Sequence, residues 1–282
     1  MIRKETLLKT DSLADKAVSD LIDKCYKYQN HPQDLLICQQ HGSVLEFNKI
    51  KSYIIGPADD GLSSFSHLNF INCMAKTFLT ESTNPFVYSN EEEKMLIEYS
   101  VHFEKLLYLK IWENVYFIKQ LTQLVRIARG KNYDWELKIP SFIRGNTKSD
   151  HIRNEIKDKI SNRSEMFYEL VSGSYSQQIR NAIAHSQYYF IQNGIYYTNY
   201  NTDKYSKINA NGFDDWELRY SKTISLFLNV IKYFEKIHFD YRDKTISNGN
   251  QIEVRVPNIK NQHDIKLLSY FEVGKRWVFI NS

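Results

Sequence analysis

From Glu91 to about Arg129, apolar residues recur at helical spacing. Leu96, Tyr99, Phe103, Leu106, Leu107 and Leu109 open a stripe that continues through Ile118 and Leu124, the three-to-four-residue repeat of a helix that buries one face. Glu91, Glu92 and Glu93 stand at its start, where acidic groups meet the positive end of the helix dipole, and Gly130 is placed as its stop. A connector with Trp135 and Pro140 follows, then a second helical stretch from about Ser149 to Leu170, a break at Gly173 and a third helix starting near Ser174 or Ser176. The aromatic runs on either side of Asn193-Gly194 predict a hairpin, because Asn-Gly supplies the left-handed backbone that a tight turn needs. Asp214 and Asp215 then predict the cap of a last long helix ending near Phe239.

The flanks are less regular. Asp11 or Ser12 is placed to cap a helix running toward Tyr28. Leu35 to Ile55 reads as two short strands or irregular structure before a turn-rich Gly56–Gly61. Ser64 to Leu79 has helical spacing, and Glu81 to Asn90, with Pro85, reads as a boundary. Strand-like runs close the chain at Ile252–Val256 and Trp277–Ile280. The pattern predicts a mainly α protein with a small β-hairpin and terminal β additions. It divides into an α/β segment over 1–85, a helical domain over 86–240 and a β-rich tail over 241–282.

Composition narrows the classes. At 282 residues and 42% apolar, the chain can bury a substantial core. A net charge of +4 permits contact with nucleic acid without demanding it. Cys25, Cys38 and Cys73 are odd in number and widely spaced, which speaks against a disulfide framework and fits a reducing cytoplasm. Neither a CxxC nor an HExxH spacing occurs, and no metal or cofactor is expected. The first residues lack the apolar run of a secretory leader, and no apolar stretch approaches a membrane span.

Chemistry concentrates in Gln178-Ile179-Arg180-Asn181-Ala182-Ile183-Ala184-His185. At about 100° per residue, Ile179, Ala182 and Ile183 share an inward face, while Asn181 and His185 stack one turn apart on the other. Arg180 lies to one side, and Ala184 leaves room there for a second helix or a phosphate. A histidine can move protons near neutral pH. An arginine can hold a phosphate and offset charge developing on it. An asparagine can orient the histidine or donate to a phosphate oxygen. Together these groups suit attack of an RNA 2′-hydroxyl on its own phosphodiester, giving a 2′,3′-cyclic phosphate and a 5′-hydroxyl. Among the eleven arginines, only Arg180 has a histidine five positions later.

Arg180-Asn181-Ala182-Ile183-Ala184-His185 resembles the Arg-polar-x-x-x-His signature of the HEPN superfamily, over roughly residues 91 to 240. The resemblance implies a HEPN-like four-helix bundle and a metal-independent endoribonuclease acting as a toxin or as an antiviral, abortive-infection effector. It implies Arg180, Asn181 and His185 as catalytic residues, RNA as substrate, a homodimer that joins two motifs in one cleft, and a regulator such as an antitoxin. The superfamily also includes inactive members, so the alternatives are a scaffold or dimerisation module and an RNA-binding regulator that does not cut.

Other features carry blander readings. His31, His41, His67, His102, His151, His238 and His263 show no metal-ligand spacing and read as surface or satisfied core residues. Asp59-Asp60 reads as a turn. Lys148, Arg153, Lys157, Lys159 and Arg163 are interrupted by Asp150, Glu155 and Asp158, which suits a solvated helix face better than an RNA guide. The Tyr188–Tyr197 aromatics suit packing at least as well as base stacking.

Overall fold

The computed structural model describes residues 2–40, 42–47, 50–55, 70, 79–80, 91–135, 137–140, 147–192, 194–202, 207–246, 249, 251–257, 263–271 and 276–280. The protein is mainly helical, with small sheets that are antiparallel except for one two-residue pair. Among the described residues, no helix is long and apolar enough to cross a membrane. The helical expectation for 64–79 and the boundary at 81–90 lie almost wholly outside these residues, as do Asp59-Asp60, His41, His67 and Cys73.

By internal contacts the chain divides into two units. The first comprises residues 1–18, 67–114 and 164–230; the second comprises 19–66, 115–163 and 231–282. Two helices contribute to both: α1 (Lys4–Tyr28) and α9 (Phe213–Thr245). Helix α1 starts well before Asp11, so the expected cap there is wrong. Asp11 lies inside the helix, where its carboxylate accepts a hydrogen bond from Asn229 Nδ2 at 2.8 Å. Helix α9 runs six residues past Phe239, and Asp214 and Asp215 sit in its first turn rather than before it. Asp215 reaches back to accept from the Gly212 N–H at 3.3 Å, so a carboxylate still satisfies a donor at the helix start.

The first unit is built on α3 (Glu91–Glu113), α7 (Glu165–Ser174), α8 (Gln177–Ala184) and the early turns of α9. Tyr108, Trp112, Phe167, Ile179, Trp216 and Phe227 are fully buried there, and burying an apolar side chain of the size of Phe167 contributes roughly 1.5–3 kcal/mol. Glu104 is buried with them, accepting from Trp216 Nε1 at 2.8 Å and Ser100 Oγ at 3.0 Å. Strand β1 (Ile2–Arg3) pairs in parallel with β4 (Leu79–Thr80). Arg3 binds Glu217 and Asp214. The expected hairpin forms, with β5 (Tyr188–Ile191) against β6 (Gly194–Tyr197), but Gly194 is already a strand residue opposite Ile191 and the left-handed backbone falls at Gln192, φ 51°, while Asn193 lies outside the described residues; a third strand, β7 (Ala210–Gly212), joins the pair.

The second unit contains α2 (Asp34–Gln40) and α4 (Val115–Ala128). Leu35 therefore opens a helix, and strands begin only at β2 (Gly42–Phe47), which pairs with β3 (Ile50–Ile55). The run from Ser149 is α5 (Lys148–His151), a π-helical turn over Ile152–Lys157, and α6 (Asp158–Ile160). Ile152, Ile156 and Ile160 are buried, while Arg153 pairs with Asp150 at 2.8 Å on the outer face. β8 (Gln251–Pro257), β9 (His263–Phe271) and β10 (Arg276–Phe279) form an antiparallel sheet in the order β10-β9-β8. Both expected terminal strands are present, and β9 lies between them in the sheet. Cys25 and Cys38 are buried free thiols, and burial pushes both up.

The expected continuous helix from Glu91 to Arg129 is two helices, interrupted at Asn114. The Asn114 N–H bonds the carbonyl of Ile111 at 3.2 Å, a tighter turn than the α-helix makes. Glu113, the last residue of α3, thereby becomes a helix terminus in the first unit.

Candidate active site

Helix α8 carries the motif. Ser176 starts it: its hydroxyl accepts the Ile179 N–H at 3.3 Å, as an N-cap serine does. Gly173, expected as the break, is still helical, and the chain turns at Tyr175, which adopts extended backbone. Tyr108 of α3 secures that corner, its hydroxyl accepting the Ser176 N–H at 2.9 Å. Burial pushes this hydroxyl up to about 12, against the opposing pull of Arg219 and Arg180.

The inward face is the expected one: Ile179, Ala182 and Ile183 are buried. Gln178 is buried beside them, a role that hydrophobic spacing does not mark. Its amide donates to the Ile208 carbonyl at 2.6 Å and accepts the Ile208 N–H at 2.7 Å. This two-way bond ties α8 to the segment before β7.

Arg180 is held by Glu113, which takes both Nε and Nη2, while Nη1 donates to Asn181 Oδ1 at 2.8 Å. Side-chain exposures of 21% for Arg180 and 32% for Glu113 place this pair where water screens it, so it contributes about 1 kcal/mol or less to stability. Its effect is positional. The guanidinium plane is set between a carboxylate and the neighbouring amide, which aims Asn181 as well. No sequence signal marks Glu113, since it acts across 67 positions.

His185 does not sit within the helix. Helix α8 ends at Ala184, and His185 is its C-terminal cap with φ −109° and ψ 11°. Ser186 follows in the left-handed region at φ 54°. The Gln187 N–H then bonds the Ala182 carbonyl at 2.8 Å and the Ser186 N–H bonds that of Ile183 at 3.3 Å, the paired bonds of a left-handed helix terminus. Glycine is the usual residue at such a position, and its absence conceals the terminus in the sequence. The His185 N–H still reaches the Asn181 carbonyl at 3.0 Å, so the one-turn spacing survives in the backbone. Ala184 and His185 are both exposed. Arg180 and Asn181 are thus in direct contact, while His185 is exposed at the end of the same helix.

The other described histidines are occupied or peripheral. His102 Nδ1 pairs with the Tyr188 hydroxyl at 3.0 Å, His151 Nε2 with Thr122 Oγ1 at 3.0 Å, His238 Nε2 with the Tyr270 hydroxyl at 3.3 Å and His31 Nε2 with Arg255 at 3.0 Å. His263 is exposed. Burial pulls His151 and His238 down. In the hairpin, Tyr189 is exposed and stacks on Tyr196 with ring centres 5.6 Å apart. Among the described residues, no group of three or more His, Cys, Asp or Glu is placed to hold a metal ion. No protein-family model, curated protein or solved structure matches this chain.

Proposed function

We propose that this chain is a HEPN-type endoribonuclease that works by 2′-hydroxyl attack, with α8 as its catalytic helix. The observation that carries the reading is the arrangement of the motif. Arg180 is clamped by Glu113 and bonded to Asn181, and His185 is exposed at the end of the same helix. A phosphodiester over this surface meets a guanidinium that offsets charge on its non-bridging oxygens and an amide that donates to one of them. His185 takes the 2′-hydroxyl proton as the 2′-oxygen bonds phosphorus. The bond to the 5′-oxygen breaks, and that oxygen leaves with a proton as a 5′-hydroxyl, so the net change is a transesterification. One histidine in each motif invites a second copy to serve the leaving group, and the exposed Ala184 allows two α8 helices to approach about a two-fold axis. In the cell, the proposed role is that of a toxin or antiviral effector held in check by a regulator.

The test uses one defined RNA and its counterpart with a single 2′-deoxy substitution at the cut site. Wild type should cut the first, leave the second intact and keep its rate in excess chelator, and His185→Ala should cut neither. Cleavage of the deoxy substrate, or by His185→Ala at the wild-type rate, would remove the mechanism. Ala184→Trp tests the assembly. Its bulk should weaken the dimer about tenfold, on the scale of 1–3 kcal/mol that overpacking costs, and lower activity in parallel. Sedimentation of a fully active monomer would rule out the shared cleft.

A further inference from the structure

Two cations on α9 lie against the corner between α7 and α8, and neither has an anionic partner among the described residues. Arg219 is half-buried, and its Nε and Nη1 are buried with no hydrogen-bond acceptor. Lys222 packs on Gly173 so closely that a Cβ there would lie 2.7 Å from its Nζ. One residue on, Thr223 Oγ1 donates to the Ser174 carbonyl at 3.2 Å, which locks this stretch of α9 to the corner. Arg219 and Arg180 both act on the Tyr108 hydroxyl, the group that holds Ser176 at the start of α8.

A partly buried guanidinium with no partner among the described residues is costly to keep, and the other two arginines of this unit are matched. Arg3 has Glu217 and Asp214, and Arg180 has Glu113. Binding sites commonly retain such strain because the ligand relieves it.

We propose that Arg219 and Lys222 form a second phosphate-binding subsite beside α8, which takes an RNA phosphodiester flanking the one that reacts. Each side chain supplies a positive charge that attracts a phosphate at close range, Lys222 as a compact ammonium. The identity of the ligand as RNA rests on the ribonuclease reading. The presence of an oxyanion subsite does not.

The experiment compares full-length wild type with Arg219→Gln, Arg219→Lys and Lys222→Gln, each also carrying His185→Ala for binding measurements. Thermal melting is recorded with and without pyrophosphate, and affinity for a short single-stranded RNA is measured across a salt series. Arg219→Gln should melt no lower than wild type without ligand, because it removes an unmatched charge. Pyrophosphate should stabilise it less. RNA affinity should fall about tenfold at low salt, and the slope of log affinity against log salt should become shallower by about 0.7 for each cation removed. Arg219→Lys should recover the slope and only part of the affinity, and it supplies the comparison if the glutamine variant folds poorly. A lower melting temperature in Arg219→Gln with RNA affinity and slope unchanged would show a structural arginine and overturn the subsite. No stabilisation of wild type by pyrophosphate together with no RNA binding would overturn it as well. If Arg219-dependent binding is found and RNA is never cut, the subsite stands and the nuclease reading falls. If RNA is cut equally by all the Arg219 and Lys222 variants, the subsite falls alone.

Discussion

Helix α3 presents two cationic neighbourhoods, and they are built on opposite terms. At its end, Glu113 receives Arg180 at a surface corner. Two turns earlier, Lys105 is buried among aromatic faces, its Nζ 3.4 Å from the centre of the Tyr188 ring, 4.4 Å from Phe190 and 5.9 Å from Trp216. Ring faces attract a cation, yet no acceptor takes a hydrogen bond from this amine. Burial pulls Lys105 down to about 6, with only Glu104 opposing. The corner therefore keeps a charged group paired at a part-exposed position, whereas the aromatic cluster keeps a long side chain as packing and discourages its charge. On the proposed reading, burial and unusual protonation by themselves do not mark the catalytic end of this helix.

The largest expected effect lies at the corner. Arg180→Ala should lower the rate of RNA cleavage by about 10²–10³, the usual loss when a donor to developing transition-state charge is removed. Arg180→Lys should restore only part of it, since lysine cannot bridge Glu113, Asn181 and a phosphate in one plane. Full activity in Arg180→Ala, measured as kcat/KM on a defined RNA, would erase the distinction between the two neighbourhoods.

Lys105→Met should leave cleavage unchanged and raise stability at neutral pH by roughly 1–4 kcal/mol, the range found when buried charge gives way to apolar packing. The pH dependence carries the sharper content. Between about 6 and 10.5 the unfolded chain binds a proton at Lys105 that the folded chain does not, so this group makes the wild type more stable as pH rises. The gain from Lys105→Met should be largest below about pH 6 and fade toward pH 10.5. Thermal melts of both proteins across that range decide it. A variant that is less stable throughout would mean that the ring faces hold a true ammonium.

The smallest effect concerns the helix terminus at the corner. Ser186 occupies the left-handed region, where a side chain costs about 1 kcal/mol and glycine costs little. Ser186→Gly should raise the denaturant midpoint by up to about that amount, and Ser186→Val should lower it. Equal midpoints for all three would show that the terminus relaxes without holding His185 in its cap position.

Several parts of the fold were legible because their causes are local. The hairpin is marked locally by two aromatic runs around a turn signal, although Gly194 already belongs to the second strand, opposite Ile191. Ile179, Ala182 and Ile183 mark the buried face of α8 within one turn, and the two terminal strands announce themselves by composition. The start of α1 was misplaced for an equally local reason. Its buried positions include Thr10, Ala14 and Ala17, small or polar residues that hide the inward stripe, while Leu8 and Leu13 are exposed. The break at Asn114 was concealed by apolar spacing that continues across it. The true end of α8 was concealed by serine standing where glycine is the common signal.

The sequence by itself determined the motif, the inward face that carries it, the hairpin that follows and the mainly helical class. These depend on backbone preference and on the repeat of a single helix or strand, which act over a few residues. Only the tertiary structure decided that Glu113 meets Arg180, that Gln178 is pinned to Ile208, that Lys105 is buried among aromatic rings and that Arg219 has no acceptor among the described residues. Each is a matter of Coulomb energy, hydrogen bonding or desolvation between groups far apart in the chain, and those energies exist only once packing has set the distances and excluded water.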